Sequence, residues 1–492
     1  MPFRFDALLI LATLSLAPAA APAAEPTSLP VAQNSAAATA KKKPAAKFAA
    51  NSATAKSSTA APAKNAASKA KTQSAAQRAP AGEASPEETD SDSGDIAPVL
   101  QTNPVRGAGD AAAAAAELDR LLDKVEQGDR IAGLAVAVVK DDKVLLQRGL
   151  GYADAKAGLK VTPDTVFRLA SLSKAFASAT AAILIDDGAF SWDTTVASVV
   201  PAFELIDADA SSKLTVRDVL SQRVGLPHNT YDRMVEANEP YPELIDRLKD
   251  VPMSCGVGEC YGYQNVTYSL IGDVIFATTG DFFSHQVEKH IFGPLGMTTA
   301  SYGLDALESS ASWARPHVRT RAGWMPFENK EGYYHVAPAA GVNASIRDMT
   351  QWLIAQMGGR PDVLTPEELN TLHTPQIDTP AERRAAPWRR ARVSESHYAL
   401  GWRVFDYAGE TLVFHAGYVK GYHTMIAFFP RARFGTVMLW NCETALPSGL
   451  LPTLLDRYLG LPEVDWAGLD APANPIRTAP RRVRTIAARR KN

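Results

Sequence analysis

The opening fifth of this 492-residue chain has almost nothing with which to build a core. From about Glu25 to Asp110 it runs in Ala, Lys, Ser, Pro and Thr with almost no aromatic residue. So little apolar surface does not offset the entropy of ordering a chain, so the stretch reads as disordered. Folding is therefore expected to begin near Ala112. Charge is blocked within the stretch. Lys41, Lys42, Lys43, Lys47, Lys56, Lys64, Lys69 and Lys71 make its first part basic, while Glu83, Glu87, Glu88, Asp90, Asp92 and Asp95 make its end acidic. One reading is a solvated tether; the other is a basic segment that touches an anionic cell-envelope polymer. A tail rich in Arg and free of acids, from Arg477 to Lys491, would add to such attraction. The formal net charge of −2 over the whole chain does not suggest a nucleic-acid partner.

Ahead of the tether, Arg4 and the apolar run Ala7–Ala17 have the length and order of an export signal. Small residues at Ala19–Ala24 place cleavage near Ala23 or Ala24. A retained membrane anchor is the alternative, but the run is shorter than a bilayer-spanning helix, and no other apolar run reaches the roughly 18 residues such a helix needs. The chain is thus divided into a signal peptide (1–24), a linker (25–111), a folded domain (112–465) and a basic tail (466–492), with the protein exported to the periplasm or beyond. The three cysteines would then sit where disulfides persist. Cys255 and Cys260 are close enough in sequence to close a small loop, leaving Cys442 over; the alternative is that all three are unpaired. The nine histidines show neither HExxH nor a dense metal pattern, so no metal or cofactor is called for.

Inside the domain, Ala112–Glu126 has the pattern of a helix. Gly133–Val139 and Lys143–Gly149 flank Lys140-Asp141-Asp142 as a hairpin. A helix runs from about Ser171 to Asp186 and ends at Gly188. Mixed helices and loops continue to about Pro375. Strands return at Tyr398–Phe405, Glu410–His415, His423–Pro430 and Gly435–Trp440, and a helix at Gly449–Tyr458 closes the domain. Strands at both ends around a helical middle predict an α+β fold whose terminal strands share one antiparallel sheet.

Three short segments can carry chemistry. In Ser171-Leu172-Ser173-Lys174, Ser171 and Lys174 share a helix face three residues apart. A hydroxyl needs a base to become a nucleophile, and a Lys serves once burial or a second cation lowers its pKa. The helix start favours a developing oxyanion. Read structurally, the same residues are a capping serine and a solvated lysine. In Tyr263-Gln264-Asn265, Tyr263 and Asn265 project to one side of an extended segment. The Tyr can pass a proton and the Asn can hold an amide. In His415-Ala416-Gly417, at the expected end of a strand, His415 would aim a donor or a charge at a substrate, and Gly417 would let the substrate lie on the strand backbone.

Taken in order, these segments resemble the serine β-lactamase and penicillin-binding-protein superfamily, in its branch of class C β-lactamases with related esterases and D-amino-acid peptidases. The resemblance covers about Ala112 to Gly460. It includes Phe167–Lys174, Leu214–Leu220, Gly225-Leu226-Pro227, Pro294-Leu295-Gly296-Met297 and Tyr398-Ala399-Leu400-Gly401-Trp402. It implies an antiparallel sheet flanked by helices, plus a helical subdomain. It implies that Ser171 is acylated, with Lys174 and Tyr263 sharing the proton transfers. Asn265 would bind the substrate amide, and the backbone N–H groups of Ser171 and Tyr418 would form the oxyanion hole. Two departures stand out. His415-Ala416-Gly417 replaces Lys-Thr-Gly, exchanging a fixed charge for a side chain often neutral at pH 7. Ser221-Gln222-Arg223-Val224 replaces a Thr-His-Thr-Ser-like run and reads as a structural turn.

The expectation is an exported serine hydrolase that opens an amide or ester in a β-lactam, a D-amino-acid peptide or a small ester through an acyl-enzyme. Its rivals are a cell-wall D,D-peptidase and a non-catalytic envelope binding or sensor protein. If the basic segment touches the envelope, deleting Lys41–Lys71 reduces pelleting of the protein with cell walls at low salt. Unchanged pelleting would leave the segment a plain spacer.

Overall fold

The computed structural model describes residues 109–470; the expected signal peptide, nearly all of the expected linker and the tail beyond Asp470 lie outside the described residues. Helix α1 (Ala111–Gln127) starts at Asp110, whose carboxylate accepts from the Ala113 N–H at 2.9 Å. Its buried face, Ala114, Ala115, Leu118, Leu122 and Val125, follows the helical repeat.

The sheet has nine strands: β1 (Gly133–Lys140), β2 (Lys143–Asp154), β3 (Leu159–Lys160), β4 (Ile377–Asp378), β5 (Val393–Tyr398), β6 (Arg403–Tyr407), β7 (Glu410–Val419), β8 (Tyr422–Phe429) and β9 (Phe434–Trp440). Their order in space is β3-β2-β1-β9-β8-β7-β6-β5-β4. The two ends of the domain meet where β1 runs antiparallel to β9, from Leu134 opposite Trp440 to Lys140 opposite Phe434. The fold is α+β, as the strand pattern predicts.

The apolar run of β1 is buried along both faces, because both faces of the sheet are covered. Leu134, Val136 and Val138 join α1 and α5 (Leu446–Leu459) in one core. Ala135, Ala137 and Val139 point the other way, toward α2 (Ser173–Asp186), α3 (Leu270–Thr279) and α4 (Ile346–Gln356). Along the chain, mostly short helices and loops make up Val196–Leu295, between the strands of the first and last parts of the domain. Among the described residues no helix is long and apolar enough to cross a membrane.

Three expectations change. Tyr398–Phe405 is not one strand but the end of β5, a tight turn and the start of β6, closed by the Ala399 N–H donating to Trp402 O at 2.8 Å. Gly401 in that turn has φ +78°, and a β-carbon there would lie 2.8 Å from Lys174 O and 2.4 Å from Ser178 Oγ. The turn therefore presses directly on α2. The strand holding His415 does not stop there; β7 continues to Val419, with Tyr418 opposite His423. At the domain's far edge, residues beyond 465 pack back: Trp466 Nε1 donates to Asp456 at 2.9 Å and Arg130 donates to Gly468 O at 2.9 Å. Cys255 and Cys260 form a disulfide, and Cys442 is free and buried, its thiol pushed up to about 12 by burial.

Phe176 on α2 stacks on Trp352 of α4 at 4.1 Å and meets Phe292 edge-on at 5.6 Å. Phe176→Ala is expected to cost about 3–5 kcal/mol in chemical denaturation, as for other large-to-small changes in a packed core. A cost under about 1 kcal/mol would show that α2 is not anchored there.

Candidate active site

Ser171 sits in a short 3-10 turn, Ala170–Leu172, that leads into α2, rather than on the α-helix itself. The turn opens on strain: Ala170 has φ +50°, a left-handed conformation that stores about 1–3 kcal/mol in a non-glycine residue. Ser173 ties the turn down. Its hydroxyl donates to Ala170 O at 2.7 Å and accepts from the Val342 N–H at 2.9 Å. Ser171 makes no helix cap; it faces a cleft of about 660 Å³.

Lys174 is fully enclosed. Its Nζ lies 3.3 Å from Ser171 Oγ, 2.6 Å from Asn265 Oδ1 and 3.1 Å from Ala339 O. Burial pushes its pKa below the usual lysine value. Tyr263 and Asp232 pull it back up, and Arg403 pushes it further down. The ring of Tyr263 stands 4.8 Å from Nζ, on the cleft wall. Serine, lysine and tyrosine thus converge at one end of the cleft.

Asn265 is held on both sides. Its Oδ1 faces Lys174, and its Nδ2 donates to both oxygens of Asp232, at 2.9 and 3.1 Å. It reaches the cleft with its polar atoms already partnered inside the protein. The segment Tyr263–Asn265 is clamped by Gln222, a buried residue with φ +64°. Gln222 accepts from the Gln264 N–H at 2.6 Å and donates to Gln264 O at 3.1 Å. The Ser221–Val224 turn is therefore the support of the Tyr-x-Asn segment.

His415 does not line the cleft. It is fully buried behind it, with Nδ1 donating to Ala416 O at 3.0 Å and Nε2 accepting from Arg403 at 3.2 Å, which fixes the neutral tautomer. Burial and the charges of Arg403 and Lys174 push its pKa well below the usual range. The expectation that His415 aims a charge at a substrate gives way to a different cation, Arg403, which does line the cleft. Arg403 stands 5.3 Å over the Tyr263 ring and shares Glu382 with Arg389.

Gly417 also matters inside the protein. A β-carbon on it would lie 2.4 Å from Leu169 O, 2.4 Å from Thr424 Oγ1 and 3.0 Å from the Ser171 nitrogen. The missing side chain makes room for the nucleophile's own backbone. Tyr418 follows on the cleft wall, exposed, its ring against His423 at 4.6 Å. Asp232, Gln222 and Arg403 carry no local motif. Only the statement that a buried lysine and a polar Asn need partners could have pointed to them. Among the described residues no group of three or more His, Cys, Asp or Glu is arranged to hold a metal ion.

With this geometry in place, comparison with known proteins is informative. The sequence profile of the family described as Beta-lactamase matches residues 118–457. The Unguisins hydrolase ungD' of Aspergillus campestris is 28% identical over 342 residues, covering 67% of this chain and 61% of that protein. Protein flp of Staphylococcus aureus (strain MW2) is 24% identical over 348 residues, covering 69% and 65%. The matched segment thus spans less than two thirds of either relative. An octameric penicillin-binding protein homologue from Pyrococcus abyssi superposes with TM-score 0.62 at 22% identity, over 70% of this chain and 77% of that one. SurE superposes with TM-score 0.57 at 21% identity, over 72% and 77%. These two likenesses speak for the fold.

Gly417→Ala tests the packing of β7 on the nucleophile turn. Overpacking costs about 1–3 kcal/mol, but displacing the Ser171 backbone is expected to slow fluorophosphonate labelling on the order of 100-fold. Labelling at the wild-type rate would mean that the contact does not position the serine.

Proposed function

The chain belongs to the Beta-lactamase family, and from that footing we propose that it is an exported serine hydrolase that cleaves an amide or ester through an acyl-enzyme on Ser171. The observation that carries this reading is the enclosed Lys174 amine 3.3 Å from Ser171 Oγ. In the neutral form that burial favours, Lys174 accepts the Ser171 proton as Oγ attacks the substrate carbonyl carbon. The backbone N–H groups of Ser171 and Tyr418 receive the oxyanion. The leaving amine or alkoxide departs with a proton relayed by Lys174 and Tyr263. Water then attacks the ester carbonyl of the acyl-enzyme, its proton returns through the same pair, and Ser171 is released.

Two features bear on the substrate. With His415 neutral and enclosed, the cleft's fixed charge sits on Arg403 of the neighbouring strand and not at the Lys-Thr-Gly position, so a β-lactam carboxylate would not meet it where Lys-Thr-Gly would place it, which favours the peptidase and esterase side of the expectation. A second cleft of about 370 Å³, flanked by Phe327 and Lys420, shares Tyr333, Tyr418 and Val419 with the first. That is room for an extended group such as a peptide. A D-amino-acid peptide is therefore the preferred substrate class, and a cell-wall D,D-peptidase, for which the basic segment would be an envelope tether, remains the rival within the fold.

Purified protein is expected to label with a fluorophosphonate and to hydrolyse p-nitrophenyl butyrate faster than nitrocefin. Release of D-Ala from a muropeptide would select the cell-wall peptidase. Ser171→Ala abolishes labelling, and equal labelling of that variant would sink the assignment. Because Lys174 works as the free amine, activity rises with pH through its lowered pKa. The acid limb then lies below the ordinary lysine range, and a limb at the ordinary lysine value would refute the buried-base reading.

A further inference from the structure

Lys174 has more neighbours than its role as a base requires, and they are not equivalent. A neutral amine carries two N–H bonds and one lone pair. The carbonyl oxygens of Asn265 and Ala339, 2.6 and 3.1 Å away, can only accept, so they take the two hydrogens. The lone pair is left for the hydroxyl neighbours, Ser171 at 3.3 Å and Tyr263. This assignment depends on which way the Asn265 carboxamide faces. Turned over, it would present N–H groups to Lys174, occupy the lone pair and disable the base.

We propose that Asp232 is a positioning residue for the reaction: its carboxylate holds Asn265 in the orientation that leaves the Lys174 lone pair to Ser171. The carboxylate can only accept, and the Asn265 Nδ2 donates to both of its oxygens at 2.9 and 3.1 Å. A flipped amide would set its oxygen against that carboxylate. Asp232 opens a short helix right after Tyr231, which has φ +64°, so the chain turns to bring the acid to the cleft. It is half-enclosed between Asn265 and Tyr333, with Glu236 beyond. No motif in the sequence assigns it. The inference rests on reading Ser171 as the nucleophile and Lys174 as its base.

The acid also acts through its charge. The groups facing Lys174 are Tyr263 and Tyr268, the cation Arg403, neutral His415 behind it, and Asp232. Asp232 pulls the lysine pKa up against burial. Removing its charge therefore lowers that pKa further, and the acid limb of activity moves to lower pH. A purely structural role would reduce activity without moving the limb.

The experiment follows fluorophosphonate labelling and p-nitrophenyl butyrate hydrolysis across pH for the full-length protein and three variants. Asp232→Asn keeps shape but opposes an amide flip no longer, and is expected to lose about tenfold to a hundredfold in labelling rate, with the acid limb shifted down. Asp232→Glu restores part of the rate and returns the limb toward its wild-type position. In an Asn265→Ala background, Asp232→Asn is expected to add less than twofold to the loss of rate at pH above the acid limb, since the orienting path through the amide is already cut and only the charge effect on the limb remains. A wild-type rate with an unmoved limb in Asp232→Asn, or an undiminished further loss in the Asn265→Ala background, would overturn the proposal. If wild type does not label at all, or labels as well without Ser171, the underlying hydrolase reading fails instead. Circular dichroism of each variant separates loss of fold from loss of positioning, and the Asp232→Glu arm keeps the test decisive should Asp232→Asn unfold.

Discussion

Burial of one amine organises this molecule. Lys174 is enclosed to the point that its charged form is penalised, and its polar neighbours Ser171, Asn265, Ala339 and Tyr263 offset part of that cost. Each wall of its chamber comes from a different part of the chain. Ala339 comes from the short helix before the strand Val342–Ser345, Asn265 from the helical middle, and the turn at Gly401 from the late strands. Tyr268 closes the other side, its hydroxyl donating to Lys174 O at 2.8 Å. A chamber assembled from so many segments exists only when the whole domain is folded, so the base is created by the fold and not by the local Ser-x-x-Lys spacing.

The sheet supplies the opposing surface. Since helices cover both of its faces, β7 is fixed in depth relative to α2. Gly417 lets β7 approach the Ser171 backbone closely, and Thr424 on β8 donates to Leu169 O at 2.8 Å from the same surface. The left-handed Ala170 is thereby held between strand and helix, where its strain is over-determined by the surroundings. Strain, close backbone approach and a buried base all meet within four consecutive positions, Ala170 to Ser173, and the lysine that follows them.

How much of this could be read in the sequence differs by residue. The α+β architecture was legible because the strands at either end are long and apolar. The pairing of Ser171 with Lys174 was legible because it depends on three-residue spacing alone. Tyr398–Phe405 misled because its aromatic and branched residues suit a strand, whereas Gly401 at positive φ breaks it. His415 misled for another reason. In a strand buried on both faces the side-chain alternation is not visible as a polar–apolar pattern, so neither the strand's end nor the histidine's direction could be inferred. Asp232, Gln222 and Arg403 were illegible because each reaches the site across a long sequence separation, and each looks in sequence like an ordinary surface or turn residue.

Arg403 shows how a departed motif residue can be replaced without being restored at its own position. The strand histidine is neutral and accepts from the guanidinium on the neighbouring strand, β6. Glu382 is shared between Arg389 and Arg403, so two cations and one carboxylate leave one positive charge in the cluster, and of the two arginines only Arg403 lines the cleft. That charge faces in two directions. Toward the cleft it is available to a substrate anion; toward the interior it pushes down the pKa of both His415 and Lys174. Moving the cation from the strand beside the nucleophile to its neighbour thus retains a positive field at the cleft while helping to keep the base uncharged. Asp232 opposes that field from the other side of Asn265, and the protonation state of Lys174 is set by the balance between them under the dominant penalty of burial.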